Sequence, residues 1–136
     1  MSTLTIAGGT AFFGKTYGEA MGLVIEARDY LERQDEAAGR ELAPVARMQM
    51  CAETLRLTAR LTRIMAWLLA QRAVASGEIS VEDALAEPLD AFDVCSAGAE
   101  HEDIGLPPRL SELLGRSRLL YGRVARLDAL ARRALT

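Results

Sequence analysis

Residues 44–77, PVARMQMCAETLRLTARLTRIMAWLLAQRAVASG, decide the fold, since no proline or glycine interrupts them between the two ends. Pro44 suits the first turn of a helix, where its missing N–H is not needed, and Gly77 suits the position just after a helix end. The pattern predicts one helix over 44–76, about 50 Å long at ~1.5 Å per residue. That length is unusual for a small domain, so we expect this helix to be the central element.

Further helices are predicted on both sides of the central one. Apolar residues recur at three- and four-residue steps over 10–33 and again over 107–135, which is the spacing of an amphipathic helix. Ser80 to Asp83 resembles a capping box and predicts a short helix over 80–86. With residues 1–9 as a tail, the sequence predicts a single all-α domain, a three-helix bundle with a long central helix.

The composition argues against several classes of protein. Half of the 136 residues are apolar and 26% are charged, which is typical of a folded protein and not of a disordered one. The net charge of −3 gives no reason to expect nucleic acid binding. The longest apolar run, residues 64–70, is too short to span a bilayer, and no secretory signal begins the chain. We therefore expect a cytoplasmic protein that binds neither nucleic acid nor membrane.

Charge is strongly segregated along the chain. Residues 77–106 carry nine acidic side chains and no basic one apart from a neutral histidine, whereas residues 107–136 carry seven arginines and two acidic side chains. This acidic connector between the second and third long helices could fold back onto its basic neighbours, or it could remain solvated. The sequence leaves both alternatives open.

Residues 9–16, GTAFFGKT, match the phosphate-binding pattern G-x-x-x-x-G-K-[ST] and follow Leu4–Ala7, which could form a strand. A P-loop belongs between a strand and a helix of a sheet, with a second carboxylate-bearing strand downstream, and the sequence after it is helical. The favoured interpretation is that Thr10 caps the first helix and that Phe12 and Phe13 enter its apolar face. Nucleotide binding through Gly9–Thr16 is kept as a remote alternative.

A second feature of the first helix is a glycine at every fourth position, Gly14, Gly18 and Gly22. Such a stripe could let another backbone approach closely. It could equally be a stretch of weak helix that the fold tolerates, because glycine costs up to ~1 kcal/mol relative to alanine. Both interpretations stay open.

The residues that usually carry catalysis or bind metals are sparse. His101 is the only histidine, and Cys51 and Cys95 have no metal-ligand spacing. No Glu-x-x-His pair supports a helical di-iron site, and no nucleophile and base can be paired. We expect no enzyme, no metal and no cofactor.

The apolar residues of the central helix cover an arc of about 240° when placed at 100° per residue, whereas packing on one side of a bundle needs only about 100°. Two neighbours from the same chain cannot easily cover that arc. Either the acidic connector or a second copy of the chain must bury the rest, and a homodimer is the favoured prediction, because two-fold dimers are the commonest oligomers. Core or dimer packing is assigned to Leu57, Leu61, Ile64 and Leu68.

The remaining sector of this helix aligns three arginines and a tryptophan, Arg56, Arg60, Arg63 and Trp67. An exposed tryptophan beside arginine is the combination found in binding hot spots, so these four are the predicted partner-binding residues. In the alternative, the arginines lie in water or pair with the acidic connector, and Trp67 caps the core.

Two tracts of the central helix, ETLRLTARL at 53–61 and WLLAQRAV at 67–74, resemble the regulator of CtrA degradation family of small alphaproteobacterial proteins. Residues of the first and third predicted helices are similar to that family too. They are Phe13, Tyr17, Glu19, Met21, Leu23 and Val24, then Arg116–Leu120 with Arg123, Val124 and Arg126–Asp128. The resemblance spans about residues 13–133.

This resemblance implies a dimeric three-helix bundle without catalysis. It implies an adaptor that helps bring CtrA and other substrates to the ClpXP protease, together with a response regulator and a cyclic-di-GMP effector. The implied partners are an AAA+ protease, a response regulator and a protein substrate. A helical dimeric interaction module with no link to proteolysis is the alternative.

Overall fold

A computed structural model of the chain describes residues 9–33, 42–89 and 105–135. Within these ranges the chain is helical and contains no strand, which confirms the all-α prediction. The helices are α1 (Gly9–Arg33), α2 (Pro44–Ala75), α3 (Val81–Ala84) and α4 (Pro108–Leu135). The described part thus has four helices, one of them a single turn, and is not simply the three-helix bundle that the sequence predicts.

The ends of α2 follow from local chemistry. Pro44 occupies the first turn, and the N–H of Arg47 donates to the carbonyl of Ala43 at 2.9 Å. At the other end Gly77 has φ 81°, a left-handed conformation that costs a side chain 1–2 kcal/mol by rough estimate. The N–H of Gly77 donates to Val74 and that of Glu78 to Ala73, the paired bonds of a Schellman motif.

The core lies where α1, α2 and α4 meet, and each of these helices contacts the other two. Leucines supply most of it, because their unbranched Cβ suits a helix and their side chains are wholly apolar. The fully or almost fully buried apolar residues of these three helices are Ala20, Leu23 and Ala27 of α1, Leu57, Ile64 and Leu68 of α2, and Leu110, Leu113, Leu114, Leu120, Val124 and Ala131 of α4.

The short helix α3 begins the segment that leaves α2 and packs against it. The Ser80 hydroxyl accepts a hydrogen bond from the N–H of Asp83 at 3.0 Å, as a capping residue does. After α3, Leu85 and Leu89 are each only 4% exposed and join the core. The residues from 85 to 89, called segment 85–89 below, are therefore part of the packed structure.

The first turn of α1 corrects one prediction. Because the helix begins at Gly9, Thr10 lies inside its first turn and is not the residue before it, so the predicted cap is wrong. Leu4–Ala7 and the side chains of Phe12 and Phe13 lie outside the described part of the molecule.

Candidate protein interaction surfaces

Arg60 and Trp67, predicted as exposed partner-binding residues, are buried between α2 and α4. Arg60 is 1% exposed and Trp67 is 6% exposed. The Nη1 of Arg60 donates to the Ser117 hydroxyl at 2.9 Å, and the Nε1 of Trp67 donates to Oδ1 of Asp128 at 2.9 Å. The predicted exposure of this sector is wrong, because acceptors on α4 satisfy donors that would otherwise need water.

Arg63 faces segment 85–89 instead of open solvent. Its Nε donates to the carbonyl of Leu89 at 3.0 Å, its Nη2 to that of Pro88 at 2.5 Å, and its Nη1 to Oε1 of Glu87 at 2.8 Å. The five donors of a guanidinium suit such a set of acceptors. The side chain thus ties α2 to segment 85–89 of the acidic connector.

Arg132, which lies on α4, also binds segment 85–89. Its Nε donates to Oδ2 of Asp128 at 2.8 Å, its Nη1 to the carbonyl of Leu85 at 2.9 Å and its Nη2 to that of Glu87 at 3.1 Å. We call Arg63 and Arg132 the arginine clamp. The fold-back alternative therefore holds for segment 85–89, while residues 90–104 are outside the described ranges.

Arg56 pairs with a buried carboxylate on its own helix. Its Nη1 lies 2.5 Å from Oε2 of Glu53, and Nη2 of Arg118 lies 3.8 Å from the other oxygen of the same carboxylate. Arg56, Arg60, Arg63 and Trp67 therefore all have partners within the chain, and their contact with another protein stays an untested prediction. Leu57, Leu61, Ile64 and Leu68 lie in the core.

Several of these partners could not be predicted from the sequence. Asp128 and Arg132 are four residues apart on α4, a spacing at which opposite charges meet. Nothing in the sequence connects Ser117 with Arg60 or Asp128 with Trp67, because 57 and 61 residues separate them. Such pairings become visible only once α2 and α4 are placed side by side.

Ion pairs join α1 to α4 along their exposed edge. Glu26 accepts from Arg116 at 2.6 and 2.7 Å and from Arg109 at 2.8 Å, and Glu19 pairs with Arg123. Hydrogen bonds from Arg116 and Arg109 lower the pKa of Glu26 from 4.5 to about 2, and the bond from Arg123 lowers the pKa of Glu19. These contacts align two helices and leave the carboxylates charged at neutral pH.

The opposite side of the molecule carries an uncovered apolar surface. On α2, Val45, Met48 and Leu55 are 69%, 72% and 68% exposed, and Leu69 is 49% exposed. Beside the C-terminal half of this face, a groove of about 680 Å³ runs between α1 and α2. Its apolar lining includes Val24, Ala27 and Leu31 of α1 and Met65, Ala66 and Leu69 of α2.

The P-loop-like segment lacks the geometry that phosphate binding needs. Residues 9–16 lie within α1, so their N–H groups do not wrap around an anion as those of a loop do. Thr16, which would ligate Mg²⁺, is 3% exposed and buried. The remote alternative of a P-loop nucleotide site is therefore wrong for this structure.

The glycine stripe on α1 has no close backbone neighbour among the described residues. A Cβ placed on Gly14, Gly18 or Gly22 would meet nothing within 4 Å. As far as the described part of the chain is concerned, the stripe is thus weak helix that the fold tolerates.

Most of the histidine and cysteine residues that were weighed for catalysis or metal binding lie outside the described ranges. His101 and Cys95 are among the residues that are not described, and Cys51 is exposed with a free thiol. Across 9–33, 42–89 and 105–135, no group of three His, Cys, Asp or Glu residues could hold a metal ion. In the same ranges, every helix is too short or too polar to cross a bilayer.

Comparison with known proteins assigns this arrangement of helices to a family. The family model DUF1465, described as a protein of unknown function, matches residues 9–135. The chain belongs to this family. A crystal structure of RcdA from Caulobacter crescentus CB15 is similar to the chain, with a TM-score of 0.70 and 39% identity over 88% of this chain and 89% of that one. These matches confirm the resemblance carried by 53–61 and 67–74, and no curated protein matches the chain.

Proposed function

We propose that the chain is a non-catalytic, homodimeric regulator of protein degradation that helps deliver substrates such as CtrA to the ClpXP protease in the cytoplasm. The similarity to RcdA carries this proposal, because 39% identity extends over 88% of the chain and both molecules share the fold. Resemblance to that family implies the protease, a response regulator and a protein substrate as partners.

The buried polar groups support a binding protein more than an enzyme. The hydrogen bonds of Arg60, Trp67 and Asp128 hold α2 against α4. A catalytic site needs a cleft where such groups converge on a substrate. The groove between α1 and α2 is instead apolar, which suits contact with another protein.

The acidic connector supplies a second surface for partners in this proposal. Nine acidic and no basic residues lie in 77–106, and the arginine clamp holds segment 85–89 so that the exposed Glu82 and Asp83 stay next to the bundle. Such a concentration of one charge favours partners with basic patches and makes their association salt-dependent.

The proposal is tested by following CtrA degradation by purified ClpXP with the response regulator and cyclic-di-GMP effector present. Adding the chain should shorten the half-life of CtrA. A ClpXP substrate that needs no adaptor is the control and should decay at an unchanged rate. If the CtrA half-life does not change either, the link to proteolysis is wrong and an interaction module unrelated to ClpXP is favoured.

The role of the acidic connector is tested in the same assay with Glu82→Lys. Its matched control is Asp29→Lys, which makes the same change of charge at a half-buried position on α1. We expect Glu82→Lys to lengthen the half-life of CtrA relative to Asp29→Lys. Equal half-lives would remove the connector from the binding surface.

A further inference from the structure

An exposed stripe on α4 combines two leucines with two arginines. We call it the outer ridge, and it consists of Leu119, Arg123, Arg126 and Leu130. Steps of four, three and four residues place these side chains within about 60° of one another around the helix. Leu119 is 74% exposed and Leu130 is 46% exposed, and both arginines are exposed as well. The core residues of α4 lie on the other side of the helix, so the outer ridge contributes little to packing within the chain.

A cleft between α1 and α4 adjoins the outer ridge. Its volume is about 370 Å³, and its lining includes Gly18, Gly22 and Leu23 of α1 with Leu119 and Arg123 of α4. A Cβ on either glycine would meet nothing within 4 Å. The missing side chains therefore leave room beside Leu119 for a side chain of another molecule.

The outer ridge is basic, although the chain as a whole has a net charge of −3. Arg123 pairs with Glu19 of α1, whereas Arg126 has no ion pair among the described residues. Arginine is enriched in protein interfaces. Its charge favours a partner that carries carboxylates at matching positions.

Two features favour an acidic protein segment over other polyanions. Glu19 and Glu26 lie among the arginines of the α1–α4 edge and would repel a continuous row of phosphates. Leu119 and Leu130 gain from apolar contacts, which the backbone of a nucleic acid and the headgroups of a bilayer do not provide. An amphipathic helix supplies apolar side chains and carboxylates together, at three- and four-residue steps.

We propose that the outer ridge and the adjoining cleft bind an acidic amphipathic helix of another protein. Two apolar side chains of that helix contact Leu119 and Leu130, and two carboxylates between them meet Arg123 and Arg126. The side chain next to Leu119 enters the cleft over Gly18. Steps of four, three and four are the same in both directions, so a partner helix matches the outer ridge in either orientation.

This surface selects a different partner from the one that the acidic connector selects, because the two surfaces have opposite charges. The outer ridge is about 16 Å long at ~1.5 Å per residue, a length that three turns of a partner helix cover. So small a contact belongs with transient complexes. We therefore expect binding in the micromolar range that weakens as salt is added.

Fluorescence anisotropy with a labelled helical peptide tests the proposal on the full chain. The probe carries leucine and glutamate at the spacing of the outer ridge, and the control peptide has lysine in place of each glutamate. The chain should bind the control peptide at least about tenfold more weakly than the probe, because lysine opposes arginine. Equal binding of the two peptides, or no binding of the probe up to millimolar chain, would overturn the proposal.

The arginine contact is tested with Arg126→Glu in the same assay. Its matched control is Arg47→Glu, which makes the same change of charge at an exposed position on α2. Arg126→Glu should weaken binding of the probe about tenfold, whereas Arg47→Glu should change it by less than about twofold. Equal effects would mean that net charge alone attracts the probe, and would overturn the assigned surface.

The cleft is tested with Gly18→Leu, which fills the space beside Leu119. Circular dichroism should show an intact fold, because a Cβ meets nothing there and leucine forms helix better than glycine. Gly14→Leu is the control, since it adds the same side chain one turn away and outside the cleft. Gly18→Leu should weaken binding of the probe at least about fivefold, because its side chain takes the place of the partner's. Unchanged binding would overturn the placement of a partner side chain in the cleft.

Nucleic acid and anionic membranes are the other ligands that a basic surface attracts. A labelled DNA duplex and vesicles of anionic phospholipid are titrated with the chain at physiological ionic strength, and we expect it to bind neither. Binding of either one that Arg126→Glu abolishes would overturn the assignment to a protein helix. None of these assays contains CtrA or ClpXP, so their outcome is independent of the proposed function.

Discussion

At the scale of single residues, Asp128 connects three parts of the molecule through one carboxylate. One oxygen accepts from Trp67 of α2, and the other accepts from Arg132, which holds segment 85–89. Asp128 is 8% exposed, so these hydrogen bonds form where few water molecules compete for the carboxylate. We therefore expect the Asp128 carboxylate to contribute more to the free energy of unfolding than an exposed carboxylate does.

Replacing Asp128 with alanine should lower the free energy of unfolding by about 1–3 kcal/mol, since the indole N–H and a guanidinium both lose their acceptor. Urea denaturation followed by circular dichroism measures this. Asp29→Ala serves as the control, because among the described residues Asp29 pairs with its exposed neighbour Arg28 alone, and the change should alter stability by less than about 0.5 kcal/mol. Equal effects of the two variants would show that the Asp128 contacts contribute nothing.

Two glycines should respond to alanine in opposite directions. Gly18→Ala should raise the free energy of unfolding by roughly 0.5–1 kcal/mol, because it lies inside a helix with open space where the Cβ would go. Gly77→Ala should lower it by about 1 kcal/mol, because φ is 81° there. The same denaturation experiment compares both, and a destabilising Gly18→Ala would mean that something packs against the glycine stripe.

At the scale of helices, the ion pairs between α1 and α4 make stability depend on pH. The folded pKa of Glu26 is about 2, below its ordinary 4.5, so its contribution is complete above pH 4.5 and is lost as pH falls toward 2. The effect is modest, because solvent screens exposed pairs.

Glu26→Gln should therefore lower the midpoint of thermal unfolding at neutral pH. Near pH 2 the midpoints of the variant and of the unchanged chain should become equal. Calorimetry across this range measures the difference. High salt should reduce it at neutral pH, since screening weakens exposed pairs. A difference that is the same at both ends of the pH range would exclude an ionic origin.

The course of α2 could be predicted from its sequence, whereas its orientation could not. Pro44 and Gly77 mark the ends because proline lacks an N–H and glycine accepts a left-handed conformation, and both effects are local. Which sector faces inward depends on Ser117 and Asp128, far away along the chain. These acceptors draw the polar Arg60 and the Trp67 indole inward and leave apolar residues such as Leu55 outside.

The wide apolar arc predicted for α2 nevertheless indicated that one chain would not cover the helix. Met48, Leu55 and Leu69 belong to that arc, and the structure leaves them exposed. Hydropathy alone could not separate the part used by α1 and α4 from the part left over, because both are equally apolar.

At the scale of the whole molecule, polar contacts close two sides of the bundle, and a third side is apolar and exposed. The α1–α4 edge is closed by ion pairs, and the α2–α4 side is closed by the arginine clamp and the Asp128 contacts. Val45, Met48, Leu55 and Leu69 of α2 remain exposed beside the apolar groove between α1 and α2. In our account the chain forms a homodimer, and the acidic connector is then presented twice to the partners of the dimer.

Sedimentation equilibrium of the unchanged chain over a range of concentrations tests this account most directly. One chain has a mass of 14.8 kDa, so we predict twice that mass at micromolar concentration and above. A mass of 14.8 kDa throughout, with the helical signal intact, would contradict the account, because the proposed homodimer would then not form.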